Sequence, residues 1–229
     1  MPLWIRLAGA AAMAAYCAGA AAQGYPSKPM RIVVPFAAGG PTDIVTRLIA
    51  VKLTEIMGQQ ALVENRGGAN GLIGVDAVVK SAPDGYTMVM TTASPVAISP
   101  AVYPKMPFDT LRDLAPVTLA TTTPELLVVH PSLPAKSMKE LVALAKARPG
   151  QLNIASTGSG SLPHLAMELL KVAAKVDLTH VPYNGAAPAV TALVGGQVHG
   201  MFADLPVLLP YVQSGRLRAL GMASPKRAS

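Results

Sequence analysis

Short β-branched apolar runs alternate with longer segments of helical period from residue 30 almost to the end of the chain. Met30–Val34 is a strand-like run. Thr42–Met57 follows with Ile44, Val45, Leu48, Ile49, Leu53 and Ile56 at helical spacing, and Gly58 stops it. Gln60–Glu64 reads as a strand, Gly71–Lys80 as a helix and Tyr86–Thr91 as a strand. After residue 123 the alternation resumes with strand Leu126–His130. Ser137-Met138-Lys139-Glu140 is a capping box opening a helix to Arg148, which Pro149-Gly150 ends. Strands at Leu152–Ala155, Leu178–Val181, His199–Ala203 and Leu217–Met222 are interleaved with helices at Leu162–Ala174, Ala187–Val194 and Leu208–Gln213. Alternation of this kind predicts an α/β fold with largely parallel sheets.

One sheet is a poor host for so many strands. The stretch Pro104–Thr123 is rich in Pro and Thr, has no helical period and separates the two alternating blocks, so it predicts a crossover between domains. The expected division is 23–122 together with 220–229 for a first, discontinuous domain, and 123–219 for a second. The strand after Gly215-Arg216 would return to the first domain. Ligand sites in such folds lie at the carboxyl ends of strands and between domains.

Residues 1–22 predict a signal peptide. Arg6 precedes a run of Leu, Ala and Met that ends in Ala20-Ala21-Ala22, and cleavage there would leave Gln23 first. The sole cysteine, Cys17, falls inside this segment, in a poor context for lipid attachment. The formal net charge is +7, but the basic residues are scattered without interleaved aromatics, which argues against nucleic acid as a partner. A mild positive field suits attraction of small anions.

Four turns at strand ends carry polar or glycine-rich sequence. The first, Ala38-Gly39-Gly40-Pro41-Thr42-Asp43, lacks both G-x-G-x-x-G and the G-K-[ST] of a phosphate loop, so a nucleotide is unsupported. Its place before a helix suits a small anion, while Asp43 near the helix N-terminus is explained by capping alone. The second is Thr91-Thr92-Ala93-Ser94-Pro95. The third, Ala155-Ser156-Thr157-Gly158-Ser159-Gly160-Ser161, offers N–H groups and hydroxyls that suit a carboxylate, and reads otherwise as a flexible polar loop. It lacks the G-x-S-x-G of a nucleophile elbow. The fourth, Val181-Pro182-Tyr183-Asn184-Gly185, stands beside a strand that ends near Asp204. A Ser159, His164 and Asp204 assembly can be drawn on paper, but a chain of this size always permits one. Neither H-E-x-x-H nor a cysteine pair is present, so no metal or cofactor is expected.

Taken in order, YPSKPMRIVVPFAAGGPTDIVTRLIA, VENRGGANGLIGVDAVVKSAPDGYTM, NIASTGSGSLPHLAMELL, HVPYNGAAPAVTALVGGQV and MFADLPVLLPYVQSGRLRALGMASPKR closely resemble the tripartite tricarboxylate transporter substrate-binding family, the Bug proteins. The resemblance covers essentially the whole chain after the signal peptide. It implies a monomeric, two-domain periplasmic binding protein of the type II-like, Venus-flytrap form, which is not an enzyme and delivers a small carboxylate to the membrane subunits of a tripartite transporter. By that resemblance the loop Gly39, Gly40, Thr42, Asp43 faces the loop Thr157, Gly158, Ser159, Ser161, and together they hold one carboxylate through amides, hydroxyls and bridging water. Ser94, Tyr183, Asn184 and Asp204 would line the rest. Members usually continue well past SPKRAS, so the first domain is expected to be incomplete at its C-terminus. A ligand-sensing partner of a membrane receptor and an exported hydrolase are the alternative classes.

Overall fold

The computed structural model describes residues 24–224, so the expected signal peptide and Cys17 lie outside the described residues. Two sheets organise the chain. The first has the order β2-β1-β3, from β1 (Met30–Val34), β2 (Ala61–Asn65) and β3 (Thr87–Val89). Both of its pairings are parallel. Helix α1 (Pro41–Met57) crosses from β1 to β2, and a 3-10 turn at Ala69–Gly71 leads into α2 (Leu72–Val79) before β3. Gly58 closes α1 at φ 68°, a left-handed position that glycine adopts without strain, with its N–H on the Thr54 carbonyl.

A π-type turn at Ser94–Ile98 runs into the short α3 (Ser99–Val102), and α4 (Thr110–Asp113) is capped by Asp109, which accepts from the Leu111 and Arg112 amides. Residues 114–124 then cross to the second sheet without regular structure. That sheet has the order β6-β5-β7-β4-β8, from β4 (Glu125–Val129), β5 (Asn153–Ser156), β6 (Thr179–Pro182), β7 (Gly200–Asp204) and β8 (Arg218–Ala223). β5 is parallel to β6 and β7, whereas β4 is antiparallel to both β7 and β8, so the second sheet is mixed rather than largely parallel.

β8 corrects one expectation. The strand after Gly215-Arg216 does not return to the first sheet: it pairs with β4, Glu125 opposite Ala223 and Val129 opposite Arg218. A division at residue 219 would cut this strand. Helix α8 (Leu205–Gln213) and the turn at Gly215 (φ 72°) reverse the chain, which delivers β8 antiparallel to β4 at the adjacent edge. The guanidinium of Arg218 then donates to the carbonyls of Leu133 and Ala135, fastening the strand's start.

Two apolar layers cover this sheet. Leu126, Val128, Met201 and Ala203 face α7 (Ala186–Val194) and α8, through Ala189, Val190, Leu193 and Leu208. Leu127, Val129, Ile154 and Phe202 face α5 (Met138–Ala147) and α6 (Leu162–Ala174), through Leu141, Ala145 and Met167. The parity of β4 explains the split, since alternate side chains leave opposite faces. Around the first sheet, Leu72, Val75 and Phe108 form a smaller cluster. Its three strands leave much of α1 uncovered: Ile44, Leu48, Val51 and Ile56 are exposed, and the helix buries Asp43, Thr46 and Ala50 instead.

Candidate functional site: a donor-lined cleft between the sheets

The carboxyl ends of β1, β3, β5 and β6 lead into the four predicted turns, β7 ends at Asp204, and hydrogen bonds bring turns of the two sheets together. The Leu162 amide donates to Ser94 Oγ at 3.1 Å, and the Tyr103 hydroxyl donates to the Ser159 carbonyl at 3.0 Å. Gly160 lies so close that a Cβ on it would stand 3.2 Å from the Tyr103 ring and 3.8 Å from Asn70 Nδ2. Ser94 and the Ser159 loop are therefore neighbours. The Gly39–Asp43 loop joins them less directly: Phe36, which precedes it, packs on Gly71, and Gly71 adjoins Asn70.

The two helix starts differ in what they leave free. At α6, Leu162 N–H goes to Ser94, residue 163 is proline, and His164 N–H goes to the buried N-cap Ser161 Oγ at 3.4 Å. Those donors are used within the protein. At α1 the N-cap is Gly40, which has no side chain to cap with, and the first internal bond begins only at Ile44 N–H. The Thr42 and Asp43 amides precede it, where a helix has no acceptors of its own. An anion at this end also meets the favourable end of the helix dipole. Gly39, at φ 78° with open space where a Cβ would be, and Gly40 keep the approach narrow in side chains.

Asp43 sits beneath this loop rather than in its mouth. It is buried, and its carboxylate accepts from Gly39 N–H at 2.9 Å, Arg47 Nε at 3.0 Å and Asn65 Nδ2 at 2.9 Å. The Arg47 hydrogen bond is the largest cause that holds its pKa down, to about 2, and the Gly39 and Asn65 bonds lower it further against the cost of burial. Asn65 Nδ2 also reaches the Phe36 carbonyl at 3.2 Å, so this network shapes the loop from within. The Arg47 charge is thereby spent on Asp43 and Asn65.

The serine loop is held from behind by two histidines. Ser156 Oγ meets His180 Nε2 at 2.6 Å, Gly160 N–H donates to His164 Nδ1 at 3.1 Å, and the two imidazoles stack at 4.0 Å. Burial first, and then the neighbouring His164, lower the His180 pKa. A Ser–His pair suggests hydrolysis, but Ser156 is fully buried and cannot meet a substrate, and His164 serves Gly160 rather than Ser159. The turn at Tyr183 is tied to the same loop, with Tyr183 N–H on the Ser156 carbonyl and Gly185 N–H on that of Thr157. Asn184 is exposed. No protein hydrogen bond engages the Thr157 or Ser159 hydroxyl among the described residues, so both can serve a ligand.

Asp204 ends β7 opposite Glu125 of β4. Burial raises the pKa of both, Glu125 to about 8 with the Asp204 carboxyl adding to the effect. Glu125 also lines a cavity of about 400 Å³ together with Leu127, Leu165, Phe202 and Met222. That cavity is apolar and offers an acid where an anion needs donors, so the donor-rich loops are the better anion site. Among the described residues no three His, Cys, Asp or Glu side chains are gathered for a metal. Neither Tyr103 nor the His164–His180 stack is legible in the sequence, because both depend on contacts across more than fifteen residues.

Residues 45–229 match the family model described as the tripartite tricarboxylate transporter family receptor. The chain is 39% identical to protein BugT of Bordetella pertussis, over 95% of this chain and 67% of that one. The structure of R. palustris Rpa4515 with adipate superposes with a TM-score of 0.85 at 38% identity, covering 89% of this chain and 68% of the other. The periplasmic binding protein BugD gives 0.81 at 34%, with coverages of 89% and 68%. The chain thus spans about two thirds of the length of each of these three proteins.

Proposed function

From the premise that the chain belongs to the tripartite tricarboxylate transporter receptor family, we propose that it captures a small carboxylate in the cleft between its two sheets and passes it to the membrane subunits of such a transporter. Work in the periplasm, without a cofactor and without catalysis, is part of the same reading. The observation that carries it is the N-terminus of α1, which has no side-chain cap at Gly40 and whose nearest cation, Arg47, is paired with Asp43. Neutral donors of this kind hold an anion without a charge pair, so binding stays reversible. The Thr157 and Ser159 hydroxyls supply donors from the facing loop, with Ser94 fastening that loop and Tyr183, Asn184 and Asp204 bounding the far side. Adipate in Rpa4515 supports a carboxylate as the ligand class.

We take the two sheets, residues 24–113 and 125–224, as the two lobes, joined by the 114–124 crossover. Calorimetry with a panel of mono-, di- and tricarboxylates tests the binding step. Saturable uptake of at least one acid by the purified protein is expected, and silence across the panel would overturn the reading. Restored uptake of that acid in a strain lacking the gene tests delivery; binding without restored uptake would favour a sensing role.

A further inference from the structure

We propose that Asn70 is a ligand-contacting residue of this cleft, its side-chain amide donating to a carboxylate oxygen of the bound acid. The proposal rests on the carboxylate reading and adds a residue that neither the motif pattern nor the likeness to the family singles out.

The backbone around Asn70 is unusual. Ala69 (φ 47°), Asn70 (φ 54°) and Gly71 (φ 91°) are three consecutive residues in left-handed conformation. Glycine takes this region freely and asparagine tolerates it, but alanine does so only under strain. Strained positions persist where their surroundings over-determine them, and they gather at ligand clamps. Here the surroundings are tight. Gly71 N–H bonds the Gly68 carbonyl at 3.0 Å, and a Cβ on Gly71 would sit 3.2 Å from Pro95 and 3.3 Å from Phe36. One turn on, Gly74 lets α2 lie directly on Pro35 and the Arg66 carbonyl, where a Cβ would stand 2.7 and 2.6 Å away. The turn is thus locked to the strand that carries the Gly39–Gly40 loop.

What the locked turn presents is a donor with nothing to donate to. Asn70 Nδ2 is shielded from solvent and has no hydrogen-bond partner among the described residues. It faces Gly160 of the serine loop, and the neighbouring carbonyl, that of Ser159, already accepts from Tyr103. Leaving a buried amide donor unmade is costly, and a ligand oxygen beside Asn70, admitted by a small shift of the serine loop, removes that cost. The amide is neutral, consistent with the other donors of the cleft. Its place between the two lobes makes the contact available only when they are together, so it acts on ligand retention as well as on recognition.

The test uses Asn70→Gly and Asn70→Asp with adipate as the first probe, followed by whichever acid of the panel binds wild type best. Asn70→Gly relieves the backbone, so its melting temperature should equal or exceed that of wild type. Its affinity should nevertheless fall by roughly ten- to a hundredfold, the worth of a hydrogen bond to a charged group. Asn70→Asp keeps the shape but replaces a donor by a carboxylate, and should bind more weakly still at neutral pH. Wild-type affinity in both folded variants overturns the proposal alone. Failure of wild type to bind any acid overturns it together with the carboxylate reading.

Discussion

Glu125→Gln is the substitution with the most sharply defined signature. Glu125 is 5% exposed at the first position of β4, its Oε2 has no hydrogen-bond partner, and Asp204 stands opposite in register. Burial, aided by the Asp204 carboxyl, moves its pKa from 4.5 to about 8. In the unfolded chain the group releases its proton near its ordinary value. Between these two values the native state holds a proton that the unfolded state has lost, so stability falls as pH rises. Below the lower value both states are protonated and the penalty is absent; above the upper one both are ionised and the penalty is complete. At about 1.4 kcal/mol for each tenfold change in proton affinity, the full window corresponds to roughly 5 kcal/mol, an upper bound because water drawn to the ionised group softens the cost.

Urea unfolding followed by far-UV circular dichroism at several pH values from 4 to 9 measures this directly. Glutamine has nearly the same shape and does not titrate, so any fixed cost of its amide shifts all points equally. The stability of Glu125→Gln minus that of wild type should climb by about 1 kcal/mol per pH unit from pH 5 to pH 8 and level off above. A difference that stays constant across that range would refute the assignment of Glu125 as a buried, protonated acid. Asp204→Asn, by removing the neighbouring carboxyl, should lower the upper end of the window.

Three further outcomes follow from the cleft. Asp43→Asn should destabilise the protein by about 1–3 kcal/mol at neutral pH, the range for a buried charged acceptor losing its role; because the folded-state pKa of Asp43 is lowered to about 2, wild type should shed this advantage as pH falls from about 4 through 2, in thermal melts that the variant does not follow. Gly40→Leu should weaken acid binding in calorimetry while leaving a folded protein, since Gly40 has an ordinary φ of −75° and a Cβ there meets only the Ala37 carbonyl at 3.3 Å; unchanged affinity would remove this loop from the site. Tyr103→Phe removes the hydroxyl that reaches Ser159 and should expand the molecule slightly in small-angle scattering without an acid present, by favouring separation of the lobes.

The sequence revealed elements more readily than it revealed their partners. The limits of α1 were legible because Pro41 and Gly58 punctuate it chemically, and the cap of α5 because Ser137 and Glu140 stand three apart. Even there the reciprocal bond differs: Glu140 reaches the Lys136 amide at 2.7 Å rather than that of Ser137. The apolar period of α1 correctly announced a helix, but not which side is covered, because covering depends on the strands available beneath it. The fate of β8 was illegible for a related reason: RALGMA has strand propensity, but its pairing with β4 is a property of the α8 turn and the sheet edge. At the site, the glycine and serine loops were visible as composition. The roles inside them were not, since Asp43 turned inward depends on Asn65, twenty-two residues away, and Asn70 acquires meaning only opposite Gly160.

The same contacts bear on how such a cleft can release what it binds. The hydrogen bonds that span it, Leu162 to Ser94 and Tyr103 to Ser159, are both between neutral groups. Each contributes about 1 kcal/mol net, so together they bias the lobes toward one another by an amount comparable to a few times thermal energy. An acid bound at micromolar affinity contributes about 8 kcal/mol, several times that bias. On the proposed reading closure would respond to the ligand, because its contacts with both loops would outweigh the protein's own. Had Arg47 pointed at the acid instead of at Asp43, a partly buried charge pair would have been added and release slowed. Asp43 withholds that cation, and by shaping the Gly39–Gly40 loop from below it leaves the proposed recognition to amides and hydroxyls, which would bind an anion and let it go.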